Sequence, residues 1–315
     1  MTKIRLLHIS DLHISNYLNI RQISKWRLSE LARTAQNFTF APAYSNNKVN
    51  RFLAFLRNQA APVDRIIITG DIATTGRSFD LEKAFTVIDG RLKPIDVDLC
   101  LLPGNHDRWV PHFKGHRSAI RSVGYDPGGT DFHTIFTSFW GPEDIRTTTI
   151  VKNNFKVVVV AADLSLRSAR DALIWKFVNK HGQGRVYDDI LEGLEKATLH
   201  SLGTDEQTTA VIWALHFPPF SPDIGADLRI IDEQLLLDKA EELGVRVILA
   251  GHSHVANHYT ADPYQIEVIC AGTLTEINPA KNQFFIIELE DLDGNFALQL
   301  ENYEYDRLRR RFFRN

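Results

Sequence analysis

Short apolar runs recur along the chain, and polar or glycine-containing segments separate them. Near-continuous runs rich in Val, Ile and Leu are typical of strands that are buried on both faces of a sheet. The pattern predicts eight strands, at residues 4–9, 65–69, 97–102, 155–162, 210–215, 245–250, 266–270 and 284–289. We expect these strands to form the interior of the fold.

Between several of the runs, apolar residues recur at intervals of three and four, which is the spacing of one helix face. This pattern predicts helices at residues 49–58, 80–88, 186–199 and 232–243, and Gly244 is suited to end the last of them in a left-handed conformation. The alternation of strands and helices favours an α/β architecture. The end of the chain differs, because Asp291-Leu292-Asp293-Gly294 predicts a hairpin between antiparallel strands.

The composition is that of an ordinary globular protein, with 44% hydrophobic and 24% charged residues among 315. We predict one domain over residues 1–315. The net charge of −3 provides no overall basic field for nucleic acid or anionic membrane, although a local basic groove would not be visible in this total.

Cys100 and Cys270 lie in apolar runs, which predicts buried free thiols. The N-terminus has no signal-peptide pattern and no run reaches 18 apolar residues, so we expect a cytoplasmic protein without a transmembrane segment.

Five segments with metal-binding or acid–base side chains each follow an apolar run. They are Asp11-Leu12-His13, Gly70-Asp71, Gly104-Asn105-His106-Asp107, His216 and Gly251-His252-Ser253-His254. Taken singly, most of them are weak signals, since a Gly-Asp pair is a common turn and a histidine after a strand is more often only hydrogen bonded. Side chains at strand ends can converge in space, however, and nitrogen and oxygen ligands of this kind suit first-row metal ions. Together the five segments predict a site for two metal ions.

In these segments and in their order, the chain resembles the calcineurin-like metallophosphoesterases, whose signature reads D-x-H, G-D, G-N-H-[DE], H and G-H-x-H. The resemblance implies a four-layer αββα sandwich, in which two mixed β-sheets lie face to face with helices outside. It also implies hydrolysis of a phosphoester by attack of a metal-bridging hydroxide on phosphorus. The two divalent or trivalent ions would be Mn, Fe or Zn, and their identity is left open.

The family pattern, carried over to this sequence, implies two ligand sets. The first metal would be bound by Asp11, His13, Asp71 and His254, and the second by Asp71, Asn105, His216 and His252, with Asp71 bridging. His106 would be the catalytic residue outside the metal ligands. Many relatives have a second acid where this chain has Thr74, which leaves the partner of His106 open between a backbone carbonyl and Asp107, our second catalytic candidate.

Two long stretches, residues 15–47 and 108–146, follow the first and third motifs and interrupt the regular pattern. Loops of this length in a compact domain are usually functional, so we predict that they form the walls of the active cleft. Trp109 and His112 in the second stretch, and Phe220 shortly after His216, are candidates for substrate binding, with the aromatic rings stacking on a base or packing on an alkyl group. Each side chain could instead pack within its own loop.

The substrate class depends on a closer resemblance. The segments HISDLH, PGNHDRW, HFPPF and GHSH look most like the bacterial branch that includes class III cyclic-nucleotide phosphodiesterases. This favours a phosphodiesterase acting on a small phosphoester, with a nucleotide among the candidates. The alternatives in the superfamily are a phosphomonoesterase, a DNA or RNA nuclease, and a nucleotide-lipid pyrophosphatase, for which the basic run at residues 307–314 is the only hint. A non-catalytic scaffold is disfavoured because such scaffolds usually lose metal ligands. Relatives are often oligomers, and a homo-oligomer stays open here.

Overall fold

The computed structural model of the chain describes residues 2–15, 45–58, 62–92, 97–108, 110–113, 123–126, 130–136, 140–141, 143–167, 182–203, 208–222, 224–225, 228–276, 282–292 and 294–315. Its strands are β1 (Lys3–Ile9), β2 (Arg65–Thr69), β3 (Leu99–Leu102), β4 (Val110–Phe113), β5 (Val123–Asp126), β6 (Ile145–Lys152), β7 (Phe155–Ala162), β8 (Gly184–Arg185), β9 (Thr208–Ala214), β10 (Ile230–Ile231), β11 (Val247–Ala250), β12 (Asn257–Ala261), β13 (Ile266–Cys270), β14 (Gln283–Asp291), β15 (Phe296–Asp306) and β16 (Arg311–Arg314). All eight predicted strands are among them.

The helices are α1 (Asn46–Arg57), α2 (Ser78–Val87), α3 (Asn105–Arg108), α4 (Thr130–Phe136), α5 (Asp188–Leu202) and α6 (Glu233–Glu242), and a π-helical turn at Ile88–Leu92 extends α2. The four predicted helices are confirmed to within a few residues. Gly244 has φ +69° and donates its N–H to the Glu241 carbonyl at 3.0 Å, so it ends α6 as expected.

Two six-stranded mixed sheets contain most of the strands. The first has the order β16-β15-β14-β1-β2-β3, and the second has the order β12-β13-β11-β9-β7-β6. In the first sheet β1, β2 and β3 are parallel neighbours, and in the second β7, β9, β11 and β13 are. The predicted hairpin is confirmed, because β14 and β15 pair antiparallel in the register Asp291↔Phe296.

The alternation of side chains along β7 shows how the sheets are layered. Val157 and Val159 belong to the core cluster that also contains the first sheet, whereas Val158 and Val160 belong to a second cluster with α5 and α6. Successive side chains of a strand point to opposite faces, so the second sheet packs on the first sheet with one face and on helices with the other. On the outer side of the first sheet, α1 places Phe52 against Phe284 of β14 at a ring distance of 5.3 Å. The predicted four-layer αββα sandwich is confirmed.

Several smaller expectations can be compared with the structure. Cys100 and Cys270 are buried free thiols, as predicted. The basic run near the C-terminus contains β16, whose Phe312 is buried in the core, which favours a structural role for this run. Most of the first cleft-forming stretch lies outside the described residues, and the second contains β4, β5 and α4. None of the described helices is long and apolar enough to cross a membrane. The single domain stays a prediction.

Candidate metal centre

All five motifs begin at the carboxyl ends of neighbouring parallel strands. In the first sheet, Asp11, Asp71 and Asn105 follow β1, β2 and β3. In the second sheet, His216 follows β9, and His252 and His254 follow β11. The carboxyl ends of parallel strands are where open α/β sheets place their ligand-binding side chains. The two sheets therefore supply their side chains to one common site.

The turns that present these side chains have an unusual backbone. The left-handed region is occupied by Asp11 (φ 52°), His13 (φ 41°), Asp71 (φ 50°), His252 (φ 65°) and His254 (φ 56°). Each such non-glycine residue costs on the order of 1–3 kcal/mol and persists only where its surroundings hold it. Strain of this kind tends to accumulate at functional sites, and here it is concentrated in the proposed ligand residues.

Hydrogen bonds from neighbouring segments hold the first of these turns. The N–H groups of Asp11 and His13 donate to the carbonyls of Gly70 and Asp71 at 3.1 and 2.9 Å, which ties the first motif to the second. The hydroxyl of Thr273 donates to the Asp11 carbonyl at 2.8 Å. A loop from the second sheet thus fixes a turn of the first sheet.

The first group of candidate ligands consists of Asp11, His13, Asp71 and His254, whose ligand atoms all lie within 4.8 Å of one another. His254 Nε2 is 3.2 Å from Asp11 Oδ1 and 3.1 Å from His13 Nε2. His13 Nε2 is 3.8 Å from Asp71 Oδ2. These are the four residues predicted for the first metal.

The second group consists of Asp71, His216 and His252, again with ligand atoms within 4.8 Å of one another. His216 donates from Nδ1 to the Thr69 carbonyl at 2.6 Å, so Nε2 is the ring nitrogen left to bind a metal, which would take the place of the proton there. That Nε2 lies 3.4 Å from Asp71 Oδ2 and 3.1 Å from Asn105 Oδ1. Asp71 is the residue that the two groups share, which is the arrangement required of a bridging ligand.

Among the buried polar atoms in the described part of the chain that lack a hydrogen-bond partner are Asp11 Oδ1, Asp71 Oδ2 and His252 Nε2, which all lie in the two groups of candidate ligands. Buried polar atoms are almost always satisfied, so such a concentration calls for an explanation. Oxygen and nitrogen ligands about 2.0–2.2 Å from one metal are roughly 3 to 4 Å apart, and the separations observed here lie in that range. The donor set suits two cations, and its mixed oxygen and nitrogen character leaves their identity open.

The charges of the site favour cations as well. Burial is the largest single influence and would raise the pKa of Asp11 and Asp71, but the surrounding histidines, led by His254 and His216 respectively, together outweigh it and hold both carboxyl pKa values below their usual range. Burial alone would lower the pKa of His216 and His254, but the carboxylates Asp71 and Asp11 raise them to about 9 and about 10, so a cation bound at either imidazole would displace a proton held there by the same carboxylates. Burial lowers the pKa of His252 to about 3, so its imidazole is neutral and suited to bind a metal.

His106 lies beside the two groups. Its backbone N–H donates to Asp71 Oδ1 at 2.8 Å, and its ring packs edge-on against that of His13 at 4.8 Å between centroids. Its Nδ1 donates to the backbone carbonyl of Thr74 at 2.9 Å. Of the two partners that the sequence left open, the structure therefore contains the backbone carbonyl, which directs the lone pair of His106 to Nε2.

Asp107 has a different environment from the one expected of a partner of His106. Its carboxylate is fully buried and accepts the backbone N–H groups of Ile72, Ala73 and Gly104 at 3.1, 2.8 and 3.0 Å. Burial and the charge of Asp71 raise the pKa of Asp107 to about 7. These contacts connect the second and third motifs, and they are those of a residue that positions the loops.

A family model described as calcineurin-like phosphoesterase matches residues 4–256, and this range contains all five motifs. The chain belongs to the calcineurin-like phosphoesterases. The family and the candidate ligand groups together indicate a dinuclear metal centre. No curated protein sequence gave a significant match.

Solved structures similar to this calcineurin-like phosphoesterase include GAP50, the anchor in the inner membrane complex of Plasmodium. The identity is 11% over 96% of this chain and 84% of that chain, with a TM-score of 0.50. A dimetal phosphatase from Danio rerio is 16% identical over 94% and 95% of the two chains, with a TM-score of 0.49. A purple acid phosphatase from yellow lupin seeds is 14% identical over 96% and 52%, with a TM-score of 0.49. At these identities the likeness concerns the fold alone.

Some residues around the centre of this calcineurin-like phosphoesterase were not predicted. Glu276 Oε2 lies 3.7 Å from His254 Nδ1, where a carboxylate can orient a metal-binding imidazole. The hydroxyl of Thr275 donates to the Leu12 carbonyl at 2.7 Å. Both residues follow β13, so the available signal was another polar segment directly after a predicted strand.

The three candidates for substrate contact are not brought to the centre by any described interaction. Trp109 lies outside the described residues, and of His112 only the backbone, in β4, is described. Phe220 packs its ring against Tyr264 at 6.4 Å, and its N–H donates to Glu233 Oε2 at 3.0 Å. Substrate contact stays a prediction for these residues.

Proposed function

We propose that this calcineurin-like phosphoesterase is a dinuclear-metal-dependent phosphodiesterase. The observation that carries the proposal is Asp71, whose carboxylate belongs to both groups of candidate ligand atoms. A shared carboxylate would hold two cations at the short separation that in-line displacement at phosphorus requires. We assign the first ion to Asp11, His13, Asp71 and His254, and the second to Asp71, Asn105, His216 and His252.

The chain's own residues have separate tasks in this proposal. Bound cations would polarise a phosphoryl oxygen and lower the pKa of a water molecule. His106 is partly exposed, whereas Asp11 and Asp71 are buried, so its imidazole is accessible to a substrate beside the ligands. With Nδ1 donating to Thr74, His106 Nε2 is the atom that would bind a phosphoryl oxygen or exchange a proton with the leaving alkoxide.

The preference for a diester is supported by the sequence segments around the motifs, which resemble those of class III cyclic-nucleotide phosphodiesterases. We infer a small phosphoester substrate, with nucleotides as the first class to screen, and a cytoplasmic setting. Neither the fold nor the family discriminates a diester from a monoester, so the test must do so.

The test compares hydrolysis of bis-p-nitrophenyl phosphate with that of p-nitrophenyl phosphate by metal-stripped protein reconstituted with Mn, Fe or Zn. We expect the diester to be cleaved faster. Preferential cleavage of the monoester would make the protein a phosphatase. No turnover of either substrate by protein with two metals bound would point to a demanding natural substrate or to a scaffold.

A single substitution tests the proposed catalytic role of His106. His106→Ala should lower kcat by about 10²- to 10⁴-fold, the usual contribution of general acid–base catalysis, with two metals still bound per chain. The matched control is His200→Ala, since His200 is exposed on α5. Near-normal turnover of His106→Ala would remove His106 from the mechanism.

A further inference from the structure

Helix α3 is a single turn that carries the third motif, and its four side chains have different surroundings. Asn105 and His106 lie at the metal centre, and Asp107 holds the loop after β2. The fourth residue, Arg108, is only 4% exposed, yet its charge has no part in the proposed reaction. A buried guanidinium next to the proposed catalytic residue needs a reason.

The partners of Arg108 come from elsewhere in the fold. Its Nη2 forms an ion pair with the carboxylate of Asp163, whose side chain is 1% exposed. The same nitrogen is hydrogen bonded to Asp144 Oδ1 at 3.4 Å and to His133 Nε2 of α4 at 3.2 Å. Buried charges are tolerated where they are paired and hydrogen bonded, and Arg108 meets both conditions at Nη2.

Two of these partners belong to the second sheet. Asp163 directly follows β7, and its Oδ1 accepts the N–H of Ser165 at 2.9 Å. Asp144 directly precedes β6, and its carbonyl accepts the N–H of Asp163 at 2.9 Å. Since α3 follows β3 of the first sheet, Arg108 connects the two sheets at the metal centre.

A helix of four residues is not stable by itself and needs contacts with the rest of the fold. The N–H groups of its first turn and the carbonyls of its last turn have no intrahelical partners, and nucleating one turn is unfavourable. The first-sheet side of α3 is fixed by the contacts of Asp107 and by the close approach of Gly76, where an added β-carbon would lie 2.5 Å from the Asp107 carbonyl oxygen. On the second-sheet side, Asn105 at the start of α3 contacts His216, and Arg108 at its end contacts its two carboxylate partners.

We propose that Arg108 is a positioning residue, which clamps helix α3 to the second sheet through Asp163 and Asp144 and thereby aligns His106 with the ligands on that sheet. His216, His252 and His254 come from the second sheet, whereas His106 comes from the first. Without the clamp, α3 would keep its contact with the second sheet at Asn105, whose Oδ1 lies 3.1 Å from His216 Nε2, but would lose the one at its last residue. The kinetic part of the test rests on the proposed function, and the exchange part does not.

Two variants loosen the clamp in different ways. Arg108→Lys keeps the charge but shortens the side chain, so its ammonium cannot reach the position from which Nη2 contacts its partners. Asp144→Asn removes a charge from a partner whose side chain is 27% exposed, so it leaves no deeply buried ion unpaired. The matched control is Asp189→Asn, since Asp189 is 66% exposed and binds Arg167, which in turn binds Asp144. The control lies in the same chain of charges, separated from Arg108's partner Asp144 by Arg167.

The kinetic test uses protein with two metals bound. We expect Arg108→Lys and Asp144→Asn, each reconstituted with two metals per chain, to lower kcat by about tenfold or more with KM unchanged, because an error near 1 Å can cost about 10²-fold. In a His106→Ala background the same substitutions should have almost no further effect, since a residue that acts through His106 is not additive with it. An additive loss would show that Arg108 does not act through His106 and would overturn the proposal.

Hydrogen exchange gives a readout that does not need turnover. The backbone N–H of His106 is protected by Asp71 Oδ1, so a loosened α3 should exchange it faster in both variants and at the wild-type rate in Asp189→Asn. Unchanged exchange of His106 in a folded Asp144→Asn protein would refute the clamp. Faster exchange together with an inactive wild-type protein would support the clamp and instead contradict the proposed phosphodiesterase.

Discussion

Gly104 separates β3 from α3, and the space around its α-carbon is already filled. A β-carbon built there would lie 2.3 Å from Asp71 Oδ1 and 2.8 Å from His216 Cε1. Both neighbours are fixed on their other sides, since Asp71 Oδ1 accepts the N–H of His106 and His216 Nδ1 donates to the Thr69 carbonyl. Gly104→Ala therefore tests whether the proposed ligands tolerate displacement.

The distances give the size of the effect. β-Carbons almost never come closer than 3.0 Å to another heavy atom, so the Asp71 carboxylate would have to move by about 0.7 Å. Metal–ligand distances vary by only about 0.2 Å in well-formed sites. We expect metal affinity to fall by about 10- to 100-fold or more, the loss typical of disturbing the support of a ligand. Overpacking should also cost about 1–3 kcal/mol of unfolding free energy.

The assay is competition of the protein with a chromogenic chelator for Mn or Zn, combined with urea unfolding. The matched control is Gly90→Ala, because a β-carbon at Gly90 has nothing within 4 Å. If Gly104→Ala binds two metals per chain with wild-type affinity, then either the site is not built on Asp71 and His216 or the backbone yields more easily than its hydrogen bonds suggest. Equal losses in both variants would show a general effect of alanine and would equally refute the argument.

Three further predictions follow from the described contacts. Asp107→Asn replaces one carboxylate oxygen with an NH₂ group, which would face a backbone N–H that Asp107 now accepts. The unfolding free energy measured in urea should fall by about 1–3 kcal/mol. An unchanged midpoint of unfolding would contradict the positioning role. Thr74→Val removes the hydroxyl that donates to the His13 carbonyl at 2.7 Å and should cost about 1 kcal/mol, while kcat stays close to wild type because His106 uses the Thr74 backbone. Removing metal with a chelator should abolish hydrolysis and lower the thermal midpoint, since cations that bind only the folded state stabilise it; a midpoint insensitive to metal would argue against the site.

Strand and motif placement could be predicted from the sequence for a simple physical reason. Strands buried on both faces are apolar at nearly every position, so 155–162 and 266–270 stand out without any knowledge of their neighbours. The candidate ligand residues come shortly after the end of such a run, within two positions in the case of Asp71 after β2 and of His216 after β9. The family model that matches residues 4–256 confirms the family that these motifs indicated.

The supporting contacts could not be predicted in the same way. The partner of His106 is the backbone carbonyl of Thr74, and a backbone group leaves no mark on the sequence. Arg108 meets Asp163 only because the two sheets pack face to face, and a single sequence has no signal for which residues of different sheets become neighbours. Asp107 looked catalytic because it adjoins His106, although its contacts are with the backbone of the preceding motif.

The distribution of the ligands over the two sheets has a consequence for the whole fold. Asp11, Asp71 and Asn105 come from the first sheet, whereas His216, His252 and His254 come from the second. Each proposed ion would take ligands from both sheets, so the free energy of metal binding would be part of the free energy that holds the sandwich together. The left-handed turns and the closely approached unpartnered atoms are costly in isolation. Metal binding can offset this cost only when the two sheets are packed in their final positions, because each ion needs ligands from both. The site therefore forms together with the completed fold.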